Sequence, residues 1–179
     1  MGVWGYKPEC DDSVVDFICN TINGKQWETK FDLLRETFNK CTIDNVFWYA
    51  GVVRTINDTK KNRRIPKDIW ERVYISLKLA PLFSGWENYI NQKRNEISAR
   101  SVYREIVKEA LNSLSPFRRK VMLRFTVVMN KSEITNPGDM LKKYLEFKKF
   151  EKIKTKTINR YSEKRVRVSQ LSRMLGSLL

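Results

Sequence analysis

Val46-Phe47-Trp48-Tyr49-Ala50-Gly51-Val52-Val53 is the stretch that decides the fold. It lies in a segment from Ile43 to Ile56 that Thr42 opens, and it is apolar almost all round. A helix of that kind is usually the buried centre of a small bundle. Toward the N-terminus, Trp27, Phe31, Leu34 and Phe38 step by four, three and four, which places them on one helical face. Before them, Asp11 and Asp12 can cap a helix in which Val14, Ile18 and Ile22 recur every four residues, ended by Asn23-Gly24. Toward the C-terminus, residues 57–64 form a polar, basic loop, and Pro66 suits the first turn of the next helix. That helix carries Ile69, Val73, Leu77 and Ala80 on one side and stops at Pro81. Ser84-Gly85-Trp86-Glu87 spells a capping box for a short helix through Tyr89 and Ile90. Ser98 or Ser101 opens another, with Val102, Ile106, Val107, Ala110, Leu111 and Leu114 at helical spacing. The expectation is a mainly α protein: a compact bundle of about six helices over residues 1–114, followed by a basic C-terminal extension or small subdomain over 115–179.

The second block is less regular. Ser115-Pro116 can start a helix, yet Val121, Leu123, Phe125 and Val127 also alternate with other residues as a strand would, so that segment stays open, with helix preferred. Asn136-Pro137-Gly138 reads as a turn, and Met140, Leu141, Tyr144, Leu145 and Phe147 as a helix after it. From Lys148 to Asn159 a Lys-x-Lys alternation suggests an extended arm or a strand. Val168, Leu171, Leu175 and Leu178 then step by three, four and three, an amphipathic helix flanked by Arg165, Arg167 and Arg173.

Charge separates the same two blocks. The 179 residues carry 35 Lys and Arg against 20 Asp and Glu, a net of +15. Residues 1–114 hold 18 against 15, and residues 115–179 hold 17 against 5, so a net of +12 belongs to the last third. Such a surface calls for acidic partners: nucleic acid, an anionic membrane or the acidic face of a protein. The chain has no histidine, which removes His-based triads, Cys-His dyads and the common His-containing metal sites. Cys10, Cys19 and Cys41 spell neither a metal knuckle nor a disulfide framework, so a soluble protein in a reducing, intracellular setting is expected. No run reaches the roughly 18 apolar residues that span a bilayer.

Met1-Gly2-x-Trp4-Gly5-x-x-Pro8, followed by Asp11-Asp12 and then Asp16-Phe17, resembles the opening of an uncharacterised, largely bacterial domain-of-unknown-function family. Its members begin Met-Gly-Thr-Trp-Gly-x-Gly-Pro-Phe, then carry an Asn-Asp pair and an Asp with an aromatic. Ala50-Gly51-Val52-Val53 and Ile65-Pro66 also resemble that family's alanine-rich helix and the Leu-Pro after it. The likeness covers about residues 1–114 and departs at Lys7 and Cys10. It implies a helical domain and transfers no catalytic residue.

Three constellations bear on function. Glu9, Asp11, Asp12 and Asp16 could hold Mg²⁺ for phosphodiester chemistry, but capping a helix accounts for them more simply. The five tryptophans, Trp4, Trp27, Trp48, Trp70 and Trp86, sit in the least basic block and read as packing, with Trp4 and Tyr6 as exceptions that could meet a partner. The third is the basic set. Lys60, Lys61, Arg63 and Arg64 form one loop. Lys142, Lys143, Lys148, Lys149, Lys152, Lys154, Lys156, Arg160, Lys164, Arg165, Arg167 and Arg173 form a second group, with Tyr144, Phe147, Phe150 and Tyr161 interleaved. These residues can bind phosphates or an acidic protein face, with Leu171, Leu175 and Leu178 filling a partner's groove. The chain therefore reads as a non-enzymatic structural or assembly protein that contacts other subunits, needs no cofactor and shows no small-molecule site. A Lys, Asn and Ile bias like that of large DNA virus proteins suggests a minor capsid or internal virion component. Nucleic-acid binding through the same extension is the alternative, and a Mg²⁺-dependent phosphodiesterase a distant third.

Overall fold

A computed structural model of the chain describes Pro8 and residues 11–42, 45–59, 64–80, 96–129 and 137–176. Among these the fold is a compact, mainly helical bundle of seven α-helices with no β-sheet. The helices are α1 (Asp12–Phe17), α2 (Trp27–Asn39), α3 (Val46–Asp58), α4 (Lys67–Leu79), α5 (Glu96–Asn112), α6 (Pro116–Val128) and α7 (Pro137–Gly176). The chain divides into two compact units, Met1–Lys142 and Lys143–Leu179.

Local rules explain the beginnings and ends. The Asp11 carboxylate accepts the Ser13 N–H at 2.9 Å and caps α1. A π-helical turn, Ile18–Ile22, extends α1, and Gly24 ends it with φ +78°, a conformation other residues adopt at a cost. Val14, Ile18 and Ile22 are buried as their spacing requires. Leu34 and Phe38 are buried on α2, whereas Trp27 and Phe31 stay half-buried, their rings 5.9 Å apart with the Lys30 ammonium over Trp27.

The core is built around two helices. On α3, Val46, Phe47, Tyr49, Ala50, Gly51, Val52, Val53 and Ile56 are buried. On α4, burial extends past the expected Ile69, Val73 and Leu77 to Trp70, Glu71, Tyr74, Ile75 and Ser76. The reason is that α4 packs against α2, α3, α5 and α6, which leaves, of its described residues, only Lys67, Lys78 and part of Asp68 and Arg72 to water. Each large aliphatic side chain buried there stabilises the fold by about 1.5–3 kcal/mol. Val102, Ile106 and Ala110 of α5 close one side, and Tyr103 Oη donates to the Leu77 carbonyl at 2.7 Å.

Residues 116–128, open between helix and strand with helix preferred, are a helix: Val121, Met122 and Phe125 are buried while Leu123 and Val127 of the strand pattern are exposed. The first unit runs past Leu114 to Lys142, and α6 packs on α4 within it. One expectation is corrected: the extended arm or strand over 148–159 is part of α7, where Lys and Glu favour helix and the Thr155 and Thr157 hydroxyls donate to the Glu151 and Ile153 carbonyls. The short helix through Tyr89 and Ile90 lies outside the described residues.

Candidate docking surface

Helix α7 begins at Pro137, with Asp139 in its first turn facing the positive end of the helix dipole. In the first unit its Met140 and Leu141 are buried. In the second unit Tyr144 is fully buried, with the Lys148 Nζ 5.5 Å from its ring centre, and Glu151 is buried. Beyond Glu151 the pattern ends. Every residue from Lys152 to Glu163 is exposed. Among them are Ile153 at 64%, Ile158 at 56% and Tyr161 at 68% exposure, and Phe150 just before them is 62% exposed.

The basic residues expected to bind a partner fall unevenly on this surface. Lys142, Lys149, Lys152, Lys154, Lys156, Arg160 and Arg165 are exposed on α7. Lys143 and Lys148 are half-buried, and both have interactions within the chain. Lys164, Arg167, Leu171, Arg173 and Leu175 belong to the helical span of α7, but their side chains lie outside the described residues, as does Leu178 altogether. Of the basic loop, Lys60, Lys61 and Arg63 lie outside the described residues, while Arg64 is exposed. Arg64 lines a surface groove of about 510 Å³ with Ile65, Lys67, Trp70 and the turn at 112–116. Of the interleaved aromatics, Phe150 and Tyr161 are exposed and Tyr144 is not. Sequence reading gave too little weight to Ile153 and Ile158, because two isoleucines within a Lys-x-Lys alternation show no helical stripe until the backbone is known to be helical.

The other charged groups hold the bundle together. Arg35 Nε and Nη2 reach the two Asp68 carboxylate oxygens at 2.8 and 3.2 Å, and Arg72 Nη1 reaches Asp68 Oδ2 at 2.8 Å. Burial opposes ionisation of Asp68, but the Arg35 hydrogen bond and the charges of Arg35 and Arg72 outweigh it and hold its pKa below the usual value. The Arg72 guanidinium lies 5.9 Å from the Phe38 ring centre, and Phe38 meets Tyr49 edge-on at 5.3 Å. The Tyr49 hydroxyl is buried with no hydrogen-bond partner among the described residues, and burial raises its pKa. Cys41 is buried too, which pushes its thiol up to about 11. Arg54 ties α3 to Glu105 and Glu109 of α5. These contacts have the form of internal ion pairs and packing.

Nothing described gathers ligands for a metal: no group of three or more Cys, Asp or Glu stands in metal-binding geometry among the described residues. Asp11 serves as a helix cap and Asp12 sits in the first turn of α1, while Glu9 lies outside the described residues. Trp70 is buried and Trp48 meets Phe17 edge-on at 5.2 Å, whereas Trp4, Tyr6 and Trp86 lie outside the described residues. No described helix is long and apolar enough to cross a membrane. No known family, curated protein or solved structure matches the chain.

Proposed function

We propose that the chain is a non-enzymatic assembly protein that attaches to neighbouring subunits through α7. The observation that carries this reading is the uninterrupted exposure of residues 152–163 on a helix that is both basic and studded with apolar side chains. A helical segment with no buried face receives no tertiary support, and isolated helices are marginal in water, so a surface of this kind is best explained by a partner that covers it. A component of a large particle, such as a minor capsid or internal virion protein, fits this role and the composition of the chain. The N-terminal likeness to a helical family of unknown function is compatible with it and adds no activity.

Nucleic-acid binding is the second reading, supported by exposed Lys152, Lys154, Lys156 and Arg160 beside Tyr161. Electrophoretic mobility shift across a salt series separates the two. The assembly reading expects weak retardation of duplex and single-stranded DNA that vanishes near physiological salt, and crosslinks from α7 to other subunits in the native particle. Tight binding with a steep log-log salt slope, and no such crosslinks, would overturn it.

A further inference from the structure

We infer that α7 docks an acidic amphipathic helix of a partner protein, rather than nucleic acid or a second copy of this chain; this deepens, and rests on, the assembly reading. At about 100° per residue, Phe150, Ile153, Thr157 and Tyr161 fall within an arc of roughly 80°, with Ile158 about 60° beyond one edge. Along the opposite edge Lys149, Lys156 and Arg160 form a row within an arc of about 40°. All three cations are exposed and form no ion pair among the described residues. An apolar seam bordered by a row of like charges is the arrangement by which paired helices select their partners, the seam supplying burial and the flanking charges supplying choice.

Charge and chemistry narrow the occupant. Residues 143–165 carry nine Lys and Arg against three Glu, so a second copy alongside would set like charge against like. Nucleic acid would satisfy the cations and could stack on Phe150 or Tyr161, but it offers no aliphatic surface for Ile153 and Ile158, which are more than half exposed. A helix with an apolar stripe and a glutamate-rich flank meets both demands. Lys154, which lies between Tyr161 and Ile158 at the seam's edge, can extend its stem across apolar surface and place its ammonium on a flanking carboxylate.

The test uses the full chain and fluorescence anisotropy with two synthetic four-heptad peptides. Both carry Leu at the two seam positions; one has Glu at the flanking positions and the other Lys. The Glu peptide is expected to bind and the Lys peptide to bind far more weakly. Ile153→Ser combined with Ile158→Ser should weaken the Glu peptide by about tenfold or more. Lys149→Glu with Lys156→Glu and Arg160→Glu should reverse the preference, which keeps the test decisive if the serine variant loses helix by circular dichroism. Equal binding of the Glu peptide by parent and serine variant, or an unchanged preference after charge reversal, overturns the inference. Native crosslinks through α7 without peptide binding overturn this partner chemistry and leave the assembly reading standing, whereas tight duplex DNA binding with a steep salt slope and no such crosslinks overturns both.

Discussion

Arg35 on α2 grips Asp68 on α4 with two nitrogens, Nε at 2.8 Å and Nη2 at 3.2 Å, across 33 residues of sequence. Because the pair depresses the Asp68 pKa, its contribution to stability is present above the unfolded-state value near 4 and is lost as pH falls through the lower folded-state value. The unfolding midpoint in urea should therefore fall on acidification below about pH 4, and Asp68→Asn should flatten that dependence. At neutral pH the substitution should cost about 1 kcal/mol, a modest figure because both side chains are about one-third exposed.

Gly51 is held by a close approach rather than by backbone conformation. A Cβ there would lie 2.8 Å from the carbonyl carbon and oxygen of Pro8. Gly51→Ala gains up to about 1 kcal/mol of helix propensity but must displace that backbone, at a cost of about 1–3 kcal/mol. Net destabilisation is expected, together with faster hydrogen exchange at the Asp11 amide, which donates to the Pro8 carbonyl at 3.2 Å.

Arg118 of α6 brings Nη1 within 3.3 Å of Glu71 Oε2 on α4, close enough for an ion pair but without hydrogen-bond alignment. Glu71 is almost wholly buried, so Arg118→Ala should cost about 1–2 kcal/mol, and replacing both residues with methionine should recover most of the loss. A double-mutant cycle measured by denaturant unfolding checks the coupling and, with it, the membership of α6 in the first unit.

The Tyr49 hydroxyl is buried without a hydrogen-bond partner among the described residues. Tyr49→Phe removes that uncompensated polar group and should stabilise the protein by up to about 1 kcal/mol in thermal or urea unfolding. A net loss of stability would show that the hydroxyl has a partner in solution.

Two cysteines should differ in reactivity. Cys19 is exposed, while Cys41 is buried with its thiol pushed up to about 11. At pH 8, iodoacetamide followed by peptide mass spectrometry should find Cys19 alkylated in the native protein and Cys41 protected until denaturant is added.

The helical class and most of the bundle's elements are legible in the residues alone. Helix signals are local: Val14, Ile18 and Ile22, or Val102, Ile106 and Ala110, repeat at the pitch of one turn and carry their burial with them. Asp11 as a cap and Gly24 as a terminator are likewise local chemistry. The basic character of the last third was legible as composition. Three-dimensional packing was needed to single out the central helix, because the burial of Glu71, Tyr74 and Ser76 depends on four neighbours of α4 that no period in its own residues announces. It also decided the Gly51–Pro8 approach and the place of α6, where a strand-like alternation lost to the burial of Val121, Met122 and Phe125. For the candidate surface the division is sharpest. Lysine spacing reads alike in an arm and in a helix, but once the backbone winds at 3.6 residues per turn, Phe150, Ile153 and Tyr161 come into one stripe and Lys149, Lys156 and Arg160 into another.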